Sequence, residues 1–402
     1  MIARAKARKE QPDWQERQGQ IPIELRKDRQ RIWIHAVSVG EVIAALPILR
    51  EVRQILPEYE ILLSVTTSSG HQTAREQASE LYDHLIYAPI DVARFTLSAM
   101  QKVQPAVLAI METELWLNLL WAAKTFDCQT VLINGRISDR SFPRAKLIRF
   151  FYRALLRNVD RCLMQTDRDA ERIRTLGAKD AEVLGNCKFD QAVESVAVDT
   201  TGLRNELGLD DRPVIVIGST RGSEEEKFVL DAIEIIGLDR ANVIHAPRHL
   251  ESADDLAEEV RRRFGSFARR SLGQTGSYLI LDTYGELARV YAVADVVVVG
   301  GGFAKHGGQN LIQPLAFGKP VLHGPYMANF REVASAADAS GAAESCETAQ
   351  ELANALNRLL NDSSERARRG TEAKALVARN LGASRRYADA IADEASKFLS
   401  QR

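Results

Sequence analysis

The chain has 402 residues, too many for one ordinary core and suited to about two domains. Its 53 Lys and Arg against 54 Asp and Glu leave a formal net charge of -1, which excludes a global field for nucleic acid and leaves only local basic clusters to meet an anionic surface. With 45% hydrophobic and 27% charged residues the balance is that of a soluble globular protein.

Cys128, Cys162, Cys187 and Cys346 have neither metal-ligand spacing nor the density of a disulfide framework, and read as reduced packing residues. No stretch approaches the roughly 20 apolar residues that span a bilayer. Residues 1–9 are basic but lack the apolar run of a signal peptide. The chain is therefore expected in the cytoplasm, touching a membrane but not crossing it.

Runs 32–37, 61–65, 106–111 and 130–134 read as buried strands, each followed by a polar or Gly-containing loop and a helix-like segment. Across 42–56, Val42, Leu46, Leu49, Val52 and Leu56 recur at helical spacing. The rhythm weakens over 192–212 and restarts at 213–218, with further strands at 242–246, 278–282, 295–300 and 320–323. Alternating strands and helices predict an α/β protein with doubly wound parallel sheets. The boundary falls near Asp199, giving domains 1–198 and 199–402, the second carrying the charge-rich helical tail. Two Rossmann-like halves would face each other across a cleft at the carboxyl ends of their strands.

Ligands of open α/β sheets bind at strand-to-helix loops, so those loops hold the candidate residues. His35-Ala-Val-Ser38-Val-Gly40-Glu41 opens a helix. Gly40 permits close backbone approach, while Ser38 and Glu41 equally match a helix-capping box. Thr66-Thr-Ser-Ser-Gly70 is a binding loop or a small-residue turn. Glu112-Thr-Glu114-Leu-Trp116 sets two carboxylates at the mouth of a buried strand, where they must be solvated, paired or used. Asn134-Gly-Arg136 could hydrogen-bond a sugar, and Gly185-Asn-Cys-Lys-Phe-Asp190 could be a plain turn.

The second half has an anion-binding character. Gly218-Ser219-Thr220-Arg221-Gly-Ser-Glu-Glu225 offers backbone amides, hydroxyls and a guanidinium at a helix start, and Arg248 could neutralise a phosphate or form a surface ion pair. Gly300-Gly301-Gly302 and Gly307-Gly-Gln-Asn310 suggest a ligand close to the backbone. No dinucleotide fingerprint, Walker A lysine, nucleophile elbow or metal-binding His pair is present, which argues against a dehydrogenase, P-loop kinase, serine hydrolase or metalloenzyme.

In combination and order, these motifs resemble the bacterial Kdo (3-deoxy-D-manno-octulosonic acid) transferases. They are Trp33-Ile-His-Ala-Val-Ser-Val-Gly-Glu41, Glu112-Thr-Glu-Leu-Trp116, Gly185-Asn-Cys-Lys-Phe-Asp190, Pro247-Arg-His249, Asp282-Thr-Tyr-Gly-Glu-Leu287, Gly307-Gly-x-Asn310 and Gly324-Pro-x-x-x-Asn-Phe330. The likeness runs over about 31–343. It implies a GT-B fold and inverting transfer of Kdo from CMP-Kdo to a lipid A precursor, without metal or other cofactor, at the cytoplasmic face of the inner membrane. By the same resemblance Glu41 is the general base, and Ser38, Gly40, Glu112, Glu114 and Arg136 lie on the acceptor side. Ser219, Thr220, Arg248, Gly301, Gly302, Asn310 and Gln313 lie on the donor side. The chain departs from the family pattern at Arg221 (usually His), Ser223 (Gly), Phe303 (often Ser) and Gln313 (Glu). The alternatives are a transferase using another nucleotide sugar, or a catalytically weak glycolipid-binding homologue.

A last feature concerns the membrane. Arg140, Arg144, Lys146, Arg149, Arg153 and Arg157 alternate with Phe142, Leu147, Phe150, Phe151, Leu155 and Leu156. The segment reads either as an interfacial helix at anionic lipid or as an ordinary core-facing helix with solvated arginines.

Overall fold

A computed structural model describes residues 13–139, 141–194 and 198–400. The basic residues of 1–9 and Arg140 lie outside them. The chain divides into two compact units.

The first holds strands β1 (Arg31–His35), β2 (Glu60–Val65), β3 (His84–Tyr87), β4 (Val107–Met111), β5 (Gln129–Gly135), β6 (Arg161–Met164) and β7 (Ala181–Val183). They form one parallel sheet in the order β3-β2-β1-β4-β5-β6-β7. Helices on both faces explain why β4, Val-Leu-Ala-Ile-Met, is apolar throughout. Ile32 and Ile34 face one core layer, and Trp33 between them faces the other. Helices used below are α1 (Val39–Ile55), α2 (Ser68–Gln77), α3 (Leu117–Thr125), α4 (Phe142–Leu147) and α5 (Arg149–Leu156).

The second unit repeats the scheme with β8 (Val214–Thr220), β9 (Asn242–Pro247), β10 (Ala268–Arg269), β11 (Tyr278–Ile280), β12 (Val296–Val299), β13 (Val321–His323) and β14 (Ala343–Ser345). Its parallel order is β10-β11-β9-β8-β12-β13-β14. Here α6 (Ser223–Ile236) follows β8, and α7 (Ile312–Ala316) follows the glycine loops.

The units differ from the expected 1–198 and 199–402 in two respects. The second unit begins at Ala192, and from Asp199 the chain is helical: Asp199 caps the helix Thr200–Glu206 by accepting N–H bonds from Thr201 and Gly202. The tail also does not stay with the second unit. Helix α8 (Ala383–Ser400) joins the first, packing on α1, β4 and β5. Tyr387, Ile391, Ala395 and Phe398 enter that core, where their apolar surface leaves water. Asp190 fixes the start of α8 by accepting the N–H groups of Gly382 at 2.6 Å and Ser384 at 2.7 Å, and Tyr387 Oη donates to the Gly185 carbonyl at 2.6 Å. Among the described residues no helix is long and apolar enough to cross a membrane.

Candidate functional site

In the first unit the polar loops collect at the carboxyl edge of the sheet. Glu41 lies in the first turn of α1 and is only 8% exposed. Its Oε2 accepts the Val37 N–H at 2.9 Å and its Oε1 the Ser38 hydroxyl at 3.2 Å. The Ser38 side chain caps no helix N–H, so the reciprocal capping box is not formed. Burial pushes the Glu41 carboxyl up to about 7; the Val37 N–H bond opposes this, and the charges of Glu112 and Glu114 add to it. Gly40 leaves open space where a Cβ would stand.

Glu112 and Glu114 follow β4 and are held differently. Glu112, at φ +53°, receives Lys188 Nζ at 2.8 Å; Glu114 accepts Trp116 Nε1 at 3.0 Å. Lys188 arrives from a loop tied down by Asn186, which caps it, and by Cys187, whose N–H donates to Asn134 Oδ1 at 3.3 Å. The 185–190 motif is therefore a clamp, not a plain turn. Arg136 is half-buried on the loop after β5, with no side-chain bond to the carboxylates among the described residues.

Four buried polar atoms at this edge have no protein partner among the described residues: His35 Nε2, Thr66 Oγ1, Ser68 Oγ and Asn134 Nδ2. His35 sits edge-on to Trp116 at 5.1 Å, and its Nδ1 meets Ser64 Oγ at 2.8 Å, the oxygen that also accepts Trp33 Nε1. Burial depresses the imidazole to about 4, so it is neutral. Buried groups of this kind are normally satisfied by a partner.

On the second unit, Ser219 takes φ +61° at the end of β8. Thr220 is buried, with Oγ1 at 2.8 Å from His245 Nε2, whose Nδ1 meets Tyr278 Oη at 2.7 Å. Its hydroxyl is thus committed inside the unit. Arg221 and Arg248 are exposed, and neither guanidinium has a bond among the described residues. Asn310 Oδ1 accepts the Ile312 N–H at 3.0 Å and so caps α7, in which Gln313 is half-buried. The 324–330 motif borders a cavity of about 430 Å³ lined by Lys305, His323, Tyr326 and Asp338.

The expected amide cradle at the glycine loops is already filled. Glu225, fully buried near the start of α6, accepts the N–H groups of Arg221 at 2.6 Å, Gly301 at 2.7 Å and Phe303 at 2.9 Å. The amides of Gly301 and Phe303 therefore serve the protein's own carboxylate.

Residues 12–191 match the family model for 3-deoxy-D-manno-octulosonic-acid transferase, and 274–376 that for glycosyl transferases group 1. The chain is 34% identical over 381 residues to the 3-deoxy-D-manno-octulosonic acid transferase of Bordetella pertussis, covering 90% of this chain and 87% of that protein. The chain belongs to the Kdo transferase family. The Haemophilus influenzae member is 31% identical, with 90% and 86% covered. As a member the chain is a glycosyltransferase. Its fold is GT-B: a glycosyltransferase structure from Rickettsia africae superposes with TM-score 0.65 at 11% identity, over 93% of this chain and all of that one.

In this Kdo transferase the residue that sequence reasoning missed is Glu225. The acidic run 224–226 reads as an ordinary first helical turn. The available signal was the pair of glycine clusters, whose amides need an acceptor.

Proposed function

We propose that this Kdo transferase moves Kdo from CMP-Kdo to a lipid A precursor, with inversion and without a metal. The observation that carries the reading is Glu41, a buried carboxylate whose burial tunes it to about 7, where it takes and releases a proton near neutral pH. An acceptor hydroxyl attacks the anomeric carbon of Kdo from the face opposite the phosphate. The new carbon–oxygen bond forms as the bond to phosphate breaks, the hydroxyl proton passes to Glu41, and CMP leaves with the electron pair.

On the acceptor side, Glu112, Glu114 and Arg136 join Ser38 and the backbone at Gly40, and the unpartnered His35, Thr66, Ser68 and Asn134 atoms supply further contacts. On the donor side, Arg248 and Arg221 carry the charge that stabilises the departing phosphate, with the Ser219 hydroxyl, Gln313 and the glycine loops around Gly301, Gly302 and Asn310. Thr220 supports that edge from within through His245.

A peripheral position on the inner membrane suits the acceptor. Leu147 is 84% and Phe150 78% exposed, Ile148 and Phe151 are exposed beside them, and Arg144, Lys146, Arg149, Arg153 and Arg157 surround this apolar strip. Buried Leu155 and Leu156 fasten α5 from the other side. Flotation with anionic vesicles should show salt-sensitive binding that Arg149→Glu with Arg153→Glu abolishes; equal binding to neutral vesicles removes the electrostatic part.

The deciding experiment supplies CMP-Kdo and a lipid A precursor and follows CMP release and the Kdo-bearing lipid, with and without EDTA. Loss of turnover in EDTA with rescue by a divalent metal overturns the metal-free mechanism. Because Arg221 and Gln313 depart from the family pattern, UDP- and GDP-sugars are run alongside; transfer from one of them and not from CMP-Kdo overturns the donor.

A further inference from the structure

We propose that Tyr284 is the platform on which the base of the nucleotide donor stacks, one strand over from the phosphate at Arg248. The inference rests on the nucleotide-donor reading above.

Tyr284 is 79% exposed, so most of its ring faces water. It stands on the loop after β11, at the carboxyl edge where open α/β sheets take their ligands. β11 pairs with β9, which ends at Pro247 beside Arg248; β9 pairs with β8, which ends at Ser219 and Thr220. Three adjacent strands therefore set out in a row an aromatic ring, a free guanidinium and a polar loop, about 4.8 Å from one strand to the next. A nucleoside phosphate has the same order, with one ribose separating base from phosphate.

The loop that carries the ring is anchored on both sides. On one side, Asp282 accepts the Ser271 N–H at 2.8 Å, the Ser271 hydroxyl at 2.6 Å and Arg269 Nε at 2.8 Å. On the other, Glu286 accepts Arg270 Nε at 2.8 Å. Gly285, at φ +81°, makes the turn between them. The backbone on both sides of Tyr284 is thus held while the ring remains in water. A preorganised ring face offers stacking to a planar base at little entropic cost, because every base has a π face.

The test is calorimetric titration of the full chain with CMP and with ribose 5-phosphate, comparing the parent, Tyr284→Ala and Tyr284→Phe. Tyr284→Ala should weaken CMP by about 5- to 100-fold, the usual range for loss of one stacked base. Tyr284→Phe should bind CMP like the parent, and ribose 5-phosphate should bind all three alike. Parental CMP affinity in Tyr284→Ala overturns the proposal, as does an equal loss of ribose 5-phosphate, which would trace the effect to the loop and not to the base. If the parent ignores CMP and binds another nucleotide, the CMP donor reading falls alone and Tyr284→Ala is judged on that nucleotide by the same criteria. If the parent binds no nucleotide, both fall.

Discussion

Glu41→Gln yields two separate readings, because the pH dependence of stability reports the buried carboxyl and single-turnover transfer reports the base. Burial lifts the Glu41 carboxyl from an ordinary 4.5 to about 7. At about 1.4 kcal/mol per tenfold change, keeping it ionised in the folded chain costs about 3 kcal/mol above pH 7. The folded carboxyl holds its proton more tightly than the unfolded one. The stability this gives is full below pH 4.5 and is lost as pH rises through about 7. The amide introduced by Glu41→Gln has no charge to desolvate, can accept the Val37 N–H, and can turn its NH2 to Ser38 Oγ. The variant should therefore be more stable than the parent at pH 8, by up to about 3 kcal/mol, and nearly equal to it at pH 4.5. Single-turnover transfer under saturating donor should fall by about 10²–10⁴-fold, the worth of a general base. Urea unfolding at the two pH values, beside the transfer assay, gives both quantities. Equal stability differences at both pH values, or near-native transfer by the folded variant, would refute the reasoning and move suspicion to Glu112 or Glu114.

Three other outcomes follow from named contacts. Lys188→Met removes the ammonium 2.8 Å from Glu112, so an uncompensated negative charge faces Glu41; the acid limb of the transfer-against-pH profile should move to higher pH, and an unmoved limb separates the two residues. Glu225→Gln turns an NH2 toward one of three backbone N–H donors. It should lower the urea midpoint of the second unit by the equivalent of about 1–3 kcal/mol, and an unchanged midpoint would show that the loops hold without it. Asp190→Ala uncaps α8, and amide exchange over 383–400 should accelerate ahead of the rest of the first unit.

The strands legible in the sequence are those buried on both faces. β4, β8 and β12 are short apolar runs that need no partner to be recognised. β7, Ala-Glu-Val, and β14, Ala-Glu-Ser, sit at sheet edges with only one of three residues buried, and β10 has only two residues; their strand character comes from the neighbour they pair with. The site was legible as a set of loops but not as a set of bonds. Ser38 and Glu41 have capping-box spacing, yet the hydroxyl donates to the carboxylate and caps nothing. Glu225 lay in plain view within a motif read as an anion cradle, and sequence spacing does not show that the anion is the motif's own side chain. The tail helix carried an amphipathic pattern that fits either sheet; the acceptor that settles it, Asp190, lies far away in the chain.

The return of α8 to the first core has a consequence for synthesis. Most of the first unit emerges from the ribosome before the second, but its core lacks Tyr387, Ile391 and Phe398 until the second unit has been made. At about 5–20 residues per second, the intervening unit takes on the order of ten seconds to make. Through that interval the faces of α1, β4 and β5 that α8 will cover stay open to water and to other nascent chains. The unit begun first is thus closed only after the second, and until then its seam is exposed.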